Sequence, residues 1–129
     1  MAPLRIAVLM VVLIGATLAG HHSFAPFDME KTTSLTGVVK EFQWINPHSW
    51  IQLMVKDKTG KEVEWSIETG SAASLTRRGW KRTALKAGDR ITVTMHPLRD
   101  GRPAGSLVDV ILADGTKIGG DPAGQPNRP

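Results

Sequence analysis

Residues 48–56 read H-S-W-I-Q-L-M-V-K, and their regular alternation decides the fold class. The apolar face of this stretch carries Ile51, Leu53 and Val55. A turn signal, D-K-T-G at residues 57–60, follows at once, and residues 61–68 then alternate again. Because alternation with a period of two is typical of half-buried strands, the pattern predicts two antiparallel strands joined by a tight turn.

Further strands are predicted on both sides of this pair. Residues 35–44 are rich in strand formers, and their alternation changes phase near Gly37, which predicts a bulge or a sharp coil there. Residues 90–96 alternate with their apolar positions facing inward. Residues 106–112 read as a last strand, and the D-G signal at residues 114–115 predicts a closing hairpin.

One short helix interrupts the strands. Ser71 is a favourable amino-terminal cap, residues 72–78 supply the helical positions, and Gly79 is suited to end the helix. Five strands with a helix between the third and the fourth predict an all-β fold with one short helix. The expected architecture is a small five-stranded OB-like barrel, the oligonucleotide/oligosaccharide-binding type. A small β-sandwich is the alternative.

The two ends of the chain differ in composition from the middle. Residues 1–20 combine a charged start, an apolar run and a small-residue exit, which is the layout of a cleaved secretory signal peptide. A retained anchor is the alternative, but a spanning helix needs roughly 20 apolar residues and this run is shorter. The predicted organisation is a signal peptide (1–20), an extended segment (21–33), a barrel domain (34–118) and a disordered tail (119–129).

The composition narrows the classes of partner. The chain has no cysteine, so a periplasmic or secreted domain would be held by its core without disulfides. Loss of residues 1–20 leaves 15 basic residues (16 minus Arg5) against 12 acidic ones, a net charge of +3. This mild charge and the expected export argue against a nucleic-acid partner, and no membrane span is expected after signal cleavage. An unknown protein or small molecule is the expected partner.

Several sequence blocks resemble a known family. They are H-H-S-F-A-P-F-D, L-T-G-V-V-K-E-F-Q-W-I-N-P-H-S-W-I, W-S-I-E-T-G-S, L-T-R-R-G-W and L-K-A-G-D-R-I-T-V, spread over residues 21–118. Together they resemble a family of small exported bacterial proteins catalogued as a domain of unknown function. The resemblance implies a periplasmic or secreted barrel-like domain and brings no established activity.

The chain has four histidines, His21, His22, His48 and His96. Cleavage before His21 would place an amine beside imidazoles, and His22, His48 or His96 would complete the ligand set. Cleavage before Gly20 would instead put His22 third, so that its ring, the amine and two backbone nitrogens surround the metal. Planar nitrogen sets favour Cu(II), so the sequence predicts a copper site. The alternative is that the first pair is solvated, that His48 is a turn residue, and that His96 is simply exposed.

The chain has four tryptophans, and they suggest a second possible function. Trp65 shares a face with core residues, whereas Trp44, Trp50 and Trp80 are candidates for a ligand or partner surface. Trp80 is also a candidate to plug one end of the barrel. No G-x-S-x-G frame is present, and Glu64 and Glu68 are expected to face solvent, so no catalytic site is predicted. The leading interpretation is a non-enzymatic exported copper-binding barrel, and the alternative is a metal-free structural or protein-interaction module.

Overall fold

The computed structural model describes residues 26–120, which form six strands and one helix. The predicted signal peptide, His21 and His22, and residues 121–129 of the predicted tail lie outside the described residues. The elements in chain order are β1 (Thr33–Gln43), β2 (Trp50–Lys56), β3 (Glu62–Glu68), α1 (Ala72–Arg77), β4 (Arg90–Pro97), β5 (Ala104–Ile111) and β6 (Lys117–Gly119).

Five of the strands close into a barrel. Neighbouring strands follow the order β3-β2-β1-β4-β5 with antiparallel pairing, and a parallel pairing between β3 and β5 closes the ring. The parallel contact runs from Ser66 opposite Ala104 to Glu68 opposite Ser106. This mixed barrel, with its helix between β3 and β4, confirms the predicted OB-like architecture. The sixth strand, β6, pairs with the far end of β5 and lies outside the ring.

Strand β1 belongs to both halves of the barrel. Its first part pairs with β4 and its last part with β2, and Val38 has partners in both strands. The register shift lies between Val39 and Glu41, a few residues beyond the position predicted from the sequence. Gly37 instead marks a close approach, because a Cβ there would collide with the carbonyl oxygen of Met54.

The core lies inside this ring and follows the predicted alternation. Strands β2 and β4 each contribute every second side chain, and the residues between these side chains remain only partly buried. Trp65 is partly buried and packs against the core, as its position on the same face as Val63 and Ile67 predicts. The buried core residues are Val39, Ile51, Leu53, Val55, Ile67, Leu75, Trp80, Leu85, Ile91, Val93, Met95, Leu107 and Val110.

Helix α1 begins and ends where the sequence predicts. The Ser71 hydroxyl accepts a hydrogen bond from the Ser74 amide at 3.0 Å, and Gly79 follows the helix with a φ of 88°. Trp80 comes next and is only 2% exposed. Its indole Nε1 donates to the Gly119 carbonyl oxygen at 2.9 Å, so this side chain joins the helix end to β6.

The described ends of the chain are both held against the barrel. The Arg99 amide donates to the Pro26 carbonyl oxygen at 2.9 Å, and the Asp28 amide donates to Pro97 at 2.8 Å, so the leading segment lies along the end of β4. At the other end the Gly120 amide donates to the Val108 carbonyl oxygen at 2.8 Å. The sequence places residues 119 and 120 in the disordered tail, whereas in the structure residue 119 belongs to β6 and residue 120 is hydrogen bonded to β5.

Candidate functional site

Strand register lines up four residues on the side of the barrel wall that faces away from the core, where Ser106 is itself fully buried. Trp50 lies opposite Glu68, Glu68 opposite Ser106, and Ser106 opposite His96. Residues paired across strands share a face, and each of these four residues has a neighbour on its strand that is fully buried in the core: Ile51, Ile67, Leu107 and Met95. We call Trp50, Glu68, Ser106 and His96 the outer row. It crosses β2, β3, β5 and β4 in that order.

His96 is fixed by the leading segment of the chain. Its Nδ1 lies 2.7 Å from the carbonyl oxygen of Lys31. A carbonyl oxygen can only accept, so Nδ1 is the donor in this bond and carries the proton. In the neutral ring the lone pair is then on Nε2, which is the state in which imidazole binds a metal ion. The structure therefore holds His96 in one tautomer.

His48 is held by an extension of the β2–β3 ladder. The Ser49 amide donates to the Gly70 carbonyl oxygen at 2.8 Å, and the Thr69 amide donates to Ser49 at 2.9 Å. The Ser49 hydroxyl donates to the Ile45 carbonyl oxygen at 3.0 Å and fixes the preceding loop. Buried Ser49 thus positions the residue before it, and His48 lies over the end of β3.

The His48 ring faces the Glu68 carboxylate. Nδ1 lies 3.3 Å from Glu68 Oε1, within the range of an ion pair when the ring is protonated. Nevertheless, this nitrogen is buried and makes no hydrogen bond in the described part of the protein. The two atoms are close, but the alignment of an ordinary hydrogen bond is missing.

Glu68 is the site residue that sequence reasoning missed. It was expected to be solvated together with Glu64, and Glu64 is indeed exposed and bonded to Lys40 Nζ at 2.7 Å. The Glu68 side chain, in contrast, is only 16% exposed. Burial raises the pKa of its carboxyl group, and the nearby His48 opposes that shift. The alternation correctly predicts that the Glu68 side chain points away from the core. It does not show whether other parts of the protein bury a side chain on that outer face.

The predicted metal ligands are brought together only in part. Within residues 26–120 no group of three or more His, Cys, Asp or Glu side chains is arranged to hold a metal ion. His48 meets Glu68, whereas His96 meets the backbone of the leading segment.

The three tryptophans proposed for a partner surface occupy different environments. Trp44 is partly buried and meets Phe42 edge-on, with ring centroids 5.7 Å apart. Trp50 is partly buried on the outer row. Trp80 lies in the core and not on the surface, because it fills the space between α1 and β6. Only the first two remain candidates for contact with a partner.

Comparison with known proteins gives a family without a known activity. A family model described as a family of unknown function, DUF6152, matches residues 9–107. The chain belongs to this family. The DUF6152 match covers His48, Glu68 and His96 and ends inside β5, so β6 lies beyond it. It confirms the resemblance drawn from the sequence blocks. No curated protein and no solved structure matches the chain. Within residues 26–120 no helix is long and apolar enough to cross a membrane.

Proposed function

We propose that this protein is a small exported barrel that binds copper through its processed amino-terminal histidines. In this proposal His96 is the ligand from the folded domain. The observation that carries it is the 2.7 Å hydrogen bond from His96 Nδ1 to the Lys31 carbonyl oxygen. A histidine that binds a metal usually donates its other ring nitrogen to a carbonyl or a carboxylate, which fixes the ring and its tautomer.

The chain between the described leading segment and the amino-terminal histidines is long enough for those histidines to reach His96. Pro26 is hydrogen bonded to Arg99, which lies three residues beyond His96 in the chain. Three residues of strand span about 10 Å, and the four steps from His22 to Pro26 span at most about 14 Å. His21 and His22 can therefore reach His96 when the segment folds back along β4.

Removal of the leader at either of two positions would create the copper ligands. A chain that begins at His21 offers its amine and ring nitrogen, and needs His96 to extend the set. A chain that begins at Gly20 offers an amine, two backbone nitrogens and the ring of His22, which together fill a square plane. Such nitrogen sets favour Cu(II) over other divalent ions.

Copper titration of exported protein, with its first residue determined from its mass, tests the proposal. We expect Cu(II) binding to be strongly weakened in a His21→Ala/His22→Ala variant. In a chain that begins at His21, His96→Ala should also weaken Cu(II) binding. Equal copper binding by the double variant would contradict the proposal.

A second candidate function is a protein-interaction module without a metal. Ile45 is 48% exposed in the loop between the partly buried Trp44 and Trp50, so one end of the barrel carries an apolar surface. Such a surface suits a protein partner. Trp50→Ala should then weaken capture of a partner from the periplasm, and copper should have no effect on that capture.

A further inference from the structure

The distance between His48 and Glu68 suits two ligands of one metal ion better than a hydrogen-bonded pair. Nδ1 and Oε1 are 3.3 Å apart and lack hydrogen-bond alignment. In a tetrahedral zinc site with bonds of about 2.0–2.1 Å, two ligand atoms are separated by about 3.3–3.4 Å. Adjacent ligands in a square plane with similar bonds would be only about 2.8–3.0 Å apart. The observed distance between Nδ1 and Oε1 therefore fits two ligands of a tetrahedral metal ion.

Burial supplies an independent reason for a cation between these two groups. The His48 Nδ1 atom is buried and makes no hydrogen bond in the described part of the protein, and the Glu68 side chain is only 16% exposed. A deprotonated Nδ1 would face a carboxylate with its lone pair, which is repulsive, and a protonated one would be expected to donate. A metal ion uses both lone pairs at once and neutralises the covered carboxylate.

The fold holds both groups on rigid elements. His48 is fixed by the Ser49 ladder bonds, and Glu68 ends β3 between Trp50 and Ser106 of the outer row. An imidazole nitrogen with a carboxylate oxygen is a ligand pair that zinc accepts readily, whereas calcium and magnesium prefer oxygen alone. Preformed ligand positions of this kind lower the ordering cost of binding.

We propose that His48 Nδ1 and Glu68 Oε1 are two ligands of a tetrahedral divalent site of the zinc type. This site is separate from the proposed copper centre and does not need the amino-terminal histidines. Water or a donor atom of a small ligand completes the coordination. The site therefore leaves open positions, as zinc sites that bind exogenous ligands do.

Cobalt titration in a variant that lacks the copper ligands tests this site. In His21→Ala/His22→Ala/His96→Ala protein, Co²⁺ should produce the intense visible absorption of tetrahedral cobalt, and Zn²⁺ should displace it. Failure of the proposed copper function would leave this result unchanged. Absence of binding in this background, or only the weak spectrum of octahedral cobalt, overturns the proposal.

Substitution of the two ligands gives the second arm of the test. In the same background His48→Gln and Glu68→Gln should each weaken metal binding. Loss of a residue that only hydrogen bonds to a metal ligand costs roughly 10- to 100-fold in affinity, and loss of a ligand should cost at least as much. Glu64→Gln is the matched control, because Glu64 is on the same strand and face but is exposed. Binding that is unchanged in both ligand variants refutes the site.

A direct readout covers the case in which a ligand variant does not fold. The imidazole resonances of His48 in the background protein should shift when Zn²⁺ is added. Unshifted resonances at saturating zinc would overturn the proposal without any substitution at the site.

Discussion

Substitution of Trp80 should weaken the attachment of β6 to the barrel. It is 2% exposed, and its Nε1 donates to the Gly119 carbonyl oxygen at 2.9 Å. Trp80→Phe removes that hydrogen bond, worth about 0.5–1.5 kcal/mol. It also leaves a cavity of about 40 Å³, which costs about 1 kcal/mol at about 24 cal/mol per Å³. The free energy of unfolding should fall by about 2 kcal/mol, and the melting temperature by about 8–16 °C.

Two measurements check this prediction against a matched substitution. Trp50→Phe makes the same change at a partly buried position whose indole forms no hydrogen bond in the described part of the chain, so it should cost under about 1 kcal/mol. Hydrogen exchange at the Gly120 amide, which is bonded to Val108, should accelerate in the Trp80 variant alone. Equal losses of stability in the two variants, or an unchanged exchange rate at Gly120, would refute the reasoning.

Two further predictions concern β1 and the outer row. Gly37→Ala should lower the free energy of unfolding by about 1–3 kcal/mol in denaturant titrations, because its Cβ collides with the Met54 carbonyl oxygen; a neutral effect would show that β1 can shift. Glu68→Gln tests the raised pKa of that carboxyl in metal-free protein. Since the folded pKa lies above the unfolded one, the wild type loses stability as pH rises through the carboxyl range. The melting temperature of the variant relative to wild type should therefore rise between pH 4 and pH 7, and a constant difference would contradict the assignment.

Local patterns account for most of the strands and the helix. The alternation around Ile51 predicts which side chains of β2 enter the core, and the structure buries those same side chains. Ser71 and Gly79 predict both ends of α1 because capping chemistry is local. These features depend only on neighbours within a few residues, so a single sequence contains the information that determines them.

Long-range pairing accounts for what the sequence did not show. The contact of Glu68 with Ser106 closes the barrel through parallel pairing, and no local signal specifies a partner 38 positions away in the chain. The same pairing helps to explain why Glu68 is covered although it faces outward. The D-G signal at residues 114–115 predicts the hairpin that leads into the three-residue strand β6, but no local signal predicts the hydrogen bond from Trp80 to that strand.

The two described histidines differ in the kind of oxygen that faces Nδ1, and this difference separates the two proposed metal sites. Lys31 presents a backbone carbonyl to His96, which fixes the ring and leaves Nε2 to bind a metal. Glu68 presents a carboxylate to His48, and a carboxylate is itself a metal ligand. The His96 site consequently needs further nitrogens from the processed amino terminus, whereas the His48 site already has two ligands within the fold. A protein that retained its leader should therefore lose the copper site that needs the free amine and keep the zinc site at His48 and Glu68.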